Sequence, residues 1–204
     1  LKSSTDIVAE GNLLFPVFFR LERLFVVVIG GGAVGTEKVT AILTNSPMAK
    51  IKVVAPEIRA EIENLQSFHP GLELVYKTYE ASDLMGADLV VAATCIVELN
   101  KQVHADAKKG KQLINVADTP ELCDFYLSSI VKKGDLKIAI STNGKSPTFA
   151  KRLREILTEA LPDSIDAILQ QLHTLRNSLK GDFEFKVQKM DEITKEIVNK
   201  KDIL

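Results

Sequence analysis

The chain has 204 residues, enough for one sizeable domain or a domain with an appended piece. With 46% hydrophobic and 26% charged residues it has an ordinary globular profile, and 26 basic against 27 acidic residues give no overall field for nucleic acid or an anionic membrane. No apolar run reaches the ~18 residues needed to span a bilayer, and 1-LKSSTDIVAEGN-12 lacks the layout of a signal peptide. A cytoplasmic protein is expected, without nucleic-acid or membrane partners.

In chain order, Leu24–Ile29 is a strand-length apolar run and Val34–Leu43 has helical spacing. Ile51–Val54 reads as a second strand, closed by Ala55-Pro56, and Ile58–Leu65 as a helix. Leu72–Tyr79 alternates as a third strand, and Ala87–Ala93 is continuously apolar, as in a strand covered on both faces. Asn100–Lys109 reads as a helix ending at Gly110, and Gln112–Ala117 as a fifth strand. This alternation predicts an α/β fold: a Rossmann-like, doubly wound parallel sheet over residues 1–118.

The pattern then changes. Phe125–Val131 and Leu136–Ser141 are strand-like around 132-KKGD-135, a turn signal, so a hairpin is expected within 119–145. From 146 to 204 a small helical C-terminal domain is expected. Ser146 caps its first helix, with Pro147 at the first helical position. Apolar stripes over Ile165–Leu179 and Val187–Ile197 make two more helices. Strands and stripes that leave the parent sheet need a surface to pack on, and a homodimer would supply it.

Gly30, Gly32 and Gly35 fit G-x-G-x-x-G between a strand and a helix. The first glycine makes the turn, the second lets backbone approach a pyrophosphate, and the third lets helix pack on strand. Free N–H groups at the helix start then face the phosphates. The alternative is a glycine-rich turn that binds nothing. The acid expected about 20 residues on, at the ribose, is Glu57 in 53-VVAPE-57; it lies slightly late, and its alternative role is to open the next helix. Arg59 leaves an opening for a 2′-phosphate, but NAD is favoured over NADP.

Ligands in this fold sit beyond the carboxyl ends of the strands. The fourth strand ends at Thr94, either a cofactor contact or a turn cap. The fifth ends 115-NVAD-118, where Asp118 can take a proton as hydride leaves, or can be an ordinary turn residue. Cys95 and Cys123 read as two buried, reduced thiols. His69, His104 and His173 have no metal-ligand spacing, so no metal site is expected.

Four stretches together, 14-LFPVFFRLERLFVVVIGGGAVGTEK-38, 53-VVAPE-57, 114-INVAD-118 and 138-IAISTNGKSPTFAKRLRE-155, resemble the precorrin-2 dehydrogenase/sirohydrochlorin ferrochelatase family, the dehydrogenase module of siroheme synthase. The last stretch is the most specific, because a generic Rossmann enzyme has no reason to carry it. The resemblance covers roughly residues 12–162. It implies NAD-dependent oxidation of precorrin-2 to sirohydrochlorin in siroheme biosynthesis, and a homodimer built partly by the strands of 119–145. In some family members it also implies insertion of ferrous iron. It places the acid/base at Asp118 and the cofactor on Gly30–Gly35, Ala33 and Val34 included, with Pro56 and Glu57 near the adenosine ribose.

The substrate implied is a tetrapyrrole rich in carboxylates. Lys145, Ser141, Thr142, Asn143 and Asn115 are candidates to hold it, with Lys151, Arg152 and Arg154 as further cations or a solvated helix face. The family often has Ala and Arg where this chain has Gly35 and Glu37. Glu37 is expected in the first helical turn, where an acid suits the dipole. No methyltransferase segment follows within these residues, so precorrin-2 is expected to come from elsewhere. The competing functional reading is a non-catalytic, NAD-sensing regulatory module, since the fold alone does not choose.

Overall fold

The computed structural model describes residues 11–199, with side chains placed through residue 195; the N-terminal reading above rests largely on residues outside that range. The described residues divide into two compact units, 15–127 and 128–199, the latter joined by residues 11–14.

In the first unit, β1 (Phe25–Gly31), β2 (Lys50–Ile58), β3 (Leu72–Tyr76), β4 (Leu89–Ala92) and β5 (Leu113–Val116) form a five-stranded sheet in the order β3-β2-β1-β4-β5. All the pairings are parallel. The helices are α1 (Ala33–Asn45), α2 (Ala60–Gln66) and α3 (Val97–Lys109). Central strands are buried on both faces, which is why they read as continuous apolar runs. Val26, Val28, Ile51 and Val53 face a cluster closed by Val39, Leu43 and Ile62. Val27, Ile29, Val54 and Val90 face one closed by Val103, Ala107 and Ile114. The strand order reverses between β1 and β4, and that crevice is where such sheets bind ligands.

Elements around the first turn differ from expectation for local reasons. Strand β2 does not stop at Ala55-Pro56. Ile29 pairs with Val54 but Gly31 with Ile58, so two residues of β1 oppose four of β2. Pro56 sits in this bulge, where no ladder N–H is required of it. Helix α2 therefore opens only at Ala60, with Arg59 as its N-cap. Glu37 is the fifth residue of α1, beyond the first turn, and pairs with Lys38 at 2.8 Å.

In the second unit, β6 (Ser129–Lys133) and β7 (Leu136–Ile140) form the expected antiparallel hairpin, later in its first strand than the apolar pattern suggested. Lys133 pairs with Leu136, and Gly134 supplies the positive φ (55°) of the two-residue turn. Helices α4 (Pro147–Ala160), α5 (Ile165–Ser178) and α6 (Phe183–Asn199) follow. The Ser146 hydroxyl accepts the Phe149 N–H at 3.2 Å, so the expected cap is formed. Asp166 at the start of α5 accepts the Asp135 N–H at 2.8 Å and clasps the hairpin turn. Among the described residues, no helix is long and apolar enough to cross a membrane.

Candidate active site

The glycines of the β1–α1 turn are required for different reasons. Gly30 has φ +122°, and a Cβ on it would lie 2.4 Å from the Ala93 carbonyl oxygen; a Cβ on Gly35 would lie 2.0 Å from that of Gly30. Gly31 is similarly pressed on Glu57 O, at 2.4 Å. These three are demanded by the protein's own packing. Gly32 is not: its backbone is extended (φ −80°, ψ −162°), and a Cβ there would meet nothing within 4 Å. Space is left open at the position where a pyrophosphate approaches backbone, so this cradle fits the cofactor that the motif implies.

Gly32 is also the N-cap of α1 and offers no capping side chain. The first intrahelical bond is Thr36 N–H to Gly32 O, at 2.9 Å. The N–H groups of Ala33, Val34 and Gly35 precede it and have no partner among the described residues. A 13-residue helix beginning this way favours an anion at its start.

The flanks of the loop follow from the strand order. The bulge in β2 brings Glu57 beside Gly31 on one side, with Pro56 and Glu57 both exposed. Glu57 lies in the strand and does not open α2. Arg59 is paired with Glu61 at 3.2 Å. On the other side Gly30 touches Ala93 and Thr94. The Thr94 hydroxyl donates to Asn100 Oδ1 (2.7 Å) and accepts the Ile96 N–H (3.2 Å), while the Asn100 amide returns to Thr94 O at 3.0 Å. Thr94 thus spends its side chain on the turn into α3. That turn starts the helix at Val97, ahead of the expected Asn100. Next to it Cys95 is exposed, a correction to the expectation of a buried thiol.

Asp118 follows β5, two strands from the glycine loop and on the far side from Glu57. At a strand spacing of ~4.8 Å, β1 and β5 lie about 10 Å apart. Its carboxylate is exposed and makes no hydrogen bond or ion pair among the described residues. Its backbone is left-handed, φ +57°, which costs a non-glycine residue on the order of 1–3 kcal/mol and persists only where the surroundings impose it. Asp tolerates it better than most residues.

Residues 123–125 fold back along the open edge of β5 beside Asp118. The Asp124 N–H donates to Ile114 O (2.7 Å), and the Asp124 carboxylate accepts the Ile114 N–H (3.0 Å). One rung further, Cys123 Sγ accepts the Val116 N–H and donates to Val116 O, both at 3.2 Å. The segment therefore satisfies edge groups that would otherwise lie open. Burial, with the nearby Asp124 and Glu121 charges, pushes the Cys123 thiol up, against the pull of the Val116 hydrogen bond and Lys38, so it remains a donor. Burial also works against the Asp124 carboxylate. The Lys108 ammonium at 2.7 Å and the Ile114 N–H nevertheless hold it below the usual carboxylate range.

Asn115 is 7% exposed and its amide donates to Phe125 O at 2.9 Å. It ties down the same segment. Sequence reasoning missed Cys123, Asp124 and Asn100 as builders of the site. The one available signal was Asn100 itself, a polar residue in the apolar stripe with Val103 and Ala107.

Ser141, Thr142, Asn143 and Lys145 belong to the second unit. Asn143 (φ 53°) and Gly144 (φ 74°) form a tight turn closed by Lys145 N–H to Thr142 O, at 3.0 Å. Ser141 Oγ accepts the Asn143 N–H and the Asn12 amide, both at 3.2 Å, and Thr142 Oγ1 accepts the Ser146 N–H at 3.2 Å. Each hydroxyl keeps its own proton to donate. Lys145 is exposed and without a partner among the described residues, whereas Arg152 is paired with Glu155 at 2.8 Å. No group of three His, Cys, Asp or Glu side chains converges among the described residues.

Residues 17–129 match the family described as "Putative NAD(P)-binding", and residues 133–160 match "Sirohaem biosynthesis protein central". The chain belongs to the precorrin-2 dehydrogenase/sirohydrochlorin ferrochelatase family. Its first unit is an NAD(P)-binding domain. It is 38% identical over 173 residues to a siroheme synthase of Psychrobacter arcticus, covering 85% of this chain and 30% of that one. It is 34% identical over 168 residues to siroheme synthase 3 of Aeromonas hydrophila, covering 82% and 35%. The chain thus spans about a third of the length of these relatives. Among solved structures, SirC, a precorrin-2 dehydrogenase, matches at TM-score 0.69 and 29% identity, over 88% of this chain and 89% of that one. Both family matches lie where the glycine loop and the 141–147 turn had pointed.

Proposed function

We propose that the chain oxidises precorrin-2 to sirohydrochlorin with NAD, in siroheme biosynthesis. The observation that carries this reading is Asp118, an unpaired, exposed carboxylate held at the end of β5 on the side of the glycine loop away from Glu57. Bound NAD supplies the hydride acceptor. The chain's residues bind, orient and move a proton. Gly30, Gly32, Ala33, Val34 and Gly35 hold the pyrophosphate through backbone, while Pro56 and Glu57 border the ribose and Thr94 the next crevice wall. Glu57, and the pairing of Arg59 with Glu61, favour NAD over NADP. Asp118 takes the proton released as the tetrapyrrole loses hydride. Lys145, with the Ser141 and Thr142 hydroxyls and Asn143, is the proposed anchor for substrate carboxylates.

The proposed working form is a cytoplasmic homodimer. Among the described residues after Ser128, only Val131 and Ala150 are buried apolar side chains, while Phe149, Ile156, Phe183 and Val187 are exposed. An unpartnered apolar set of this kind supports a pairing role for the strands and helices after the Rossmann unit. For iron insertion, the second activity known in the family, the same Asp118 carboxylate is the proposed group. Iron insertion into supplied sirohydrochlorin, with wild type, with Asp118→Ala and without protein, tests this; equal rates in all three remove the activity.

The deciding assay is absorbance at the NADH band with enzymatically generated precorrin-2 and NAD. Turnover in wild type that collapses in Asp118→Asn supports both substrate and base. Equal turnover in both keeps the enzyme and removes Asp118 from the chemistry. NAD binding without turnover would favour a regulatory NAD-sensing module instead.

A further inference from the structure

We propose that Cys123 is a positioning residue for Asp118, acting through a two-way hydrogen bond between its thiol and the backbone of Val116; this rests on the assignment of Asp118 above. Val116 is the last residue of β5, and its N–H and C=O face the open edge of the sheet. Cys123 Sγ lies 3.2 Å from both. The thiol takes one hydrogen and gives the other, which a purely apolar side chain cannot do. The contact joins the two ends of the loop whose second residue past the strand is Asp118.

The other restraints on that loop are Ala117 N–H to Ala92 O at 2.9 Å, Thr119 N–H to Val116 O at 3.4 Å, the Thr119 hydroxyl to Ala117 O at 3.3 Å and Leu122 N–H to Thr119 O at 3.1 Å. Of these, only the Ala117 bond reaches a neighbouring strand, and the Cys123 thiol also lies 3.5 Å from Thr119 O. Asp124 ties the returning segment to Ile114, and the Asn115 amide of β5 holds Phe125 of that segment, both away from the rung at Val116. Cys123 is therefore the side chain that closes the rung next to the left-handed residue. Without it the backbone at 117–119 has alternatives of lower strain, and the carboxylate leaves the place where it meets substrate.

The competing explanation is packing, because Cys123 also lies against the cluster of Val90, Val103 and Ile114. Two substitutions separate the ideas. Cys123→Ser keeps donor and acceptor and loses apolar volume; Cys123→Val keeps apolar volume and loses both hydrogen bonds. The expected result, in the full chain with precorrin-2 and NAD, is a kcat about ten- to a hundredfold lower in Cys123→Val. Its KM for NAD stays near wild type, and Cys123→Ser recovers most of the rate. Amide hydrogen exchange at Ala117 and Thr119 should accelerate in the Val variant and not in the Ser variant. Wild-type kcat in Cys123→Val, or equal losses in both variants, overturns the proposal. Asp118→Asn is assayed beside them. If it also turns over normally, the role of Asp118 is what fails, and the exchange rates still decide whether the thiol fixes the loop.

Discussion

The α-carbon of Gly30 is pressed against the carbonyl of Ala93, so that a Cβ would stand 2.4 Å from the oxygen, on a backbone with φ +122°. Gly30→Ala is therefore expected to cost roughly 3 kcal/mol or more of folding stability, since strained backbone and overpacking add. Gly32→Ala meets neither obstacle, and its stability should stay within ~0.5 kcal/mol of wild type. Its methyl group fills the space left for a pyrophosphate, so NAD affinity should fall by about tenfold or more. Urea denaturation and NAD titration of both variants check the contrast. A Gly32→Ala protein that binds NAD normally would place the cofactor elsewhere.

Asp124 gives a pH-dependent prediction with a defined sign. Its folded-state pKa is depressed by Lys108 and the Ile114 N–H, against burial. Its contribution is thus fully present above the unfolded carboxylate value, about 3.9, and is lost as pH falls through the folded value. Asp124→Asn should destabilise by about 1–2 kcal/mol at pH 7, because the pair with Lys108 is partly exposed and the Ile114 bond is to a charged acceptor. The difference from wild type should hold from pH 7 to 5 and shrink below about pH 4. Urea melts at several pH values measure it; a difference that grows on acidification would contradict the assignment.

What the amino-acid sequence disclosed of all this divides along physical lines. Buried parallel strands are apolar without interruption, so β1 and β4 were legible, and glycines forced by close contact marked the turn beside β1. The bulge at Pro56 was not legible, because a proline in a strand reads as a stop unless the neighbouring strand is known to end there. Asp118 could be placed at a strand end, but neither its left-handed backbone nor the return of Cys123 and Asp124 to the edge of β5 could. Such returns are tertiary and leave no periodicity. Thr94 and Asn115 were ambiguous for the same reason: a polar side chain at a strand end can face a ligand or satisfy a turn, and only the hydrogen-bond partners distinguish them.

Lys145 is the exposed cation of the 141–147 turn. If it holds a substrate carboxylate, Lys145→Ala removes one charge-assisted hydrogen bond, about 1.5–3 kcal/mol. KM for precorrin-2 should rise about tenfold or more while the Kd for NAD is unchanged. Arg152→Ala is the control, since that side chain already has Glu155 as a partner and should change KM by less than about threefold. Equal effects of the two variants would assign the substrate to a diffuse basic face rather than to the turn.

Asp118→Gly sets stability against activity at one residue. Glycine adopts φ +57° without strain, relieving on the order of 1–3 kcal/mol, but it loses about 0.5–1 kcal/mol through the greater freedom of the unfolded chain. The variant should therefore be as stable as wild type, or up to about 2 kcal/mol more stable. A proton acceptor contributes about 10²–10⁴-fold to rate, so NADH production should fall by that order while NAD binding persists. Asp118→Ala has the same chemical loss but keeps the left-handed strain, and should melt below the glycine variant. Thermal melts and turnover of the three proteins together test the argument. If the glycine variant is the least stable, the carboxylate has a structural partner, and the case for a free proton acceptor at the end of β5 fails.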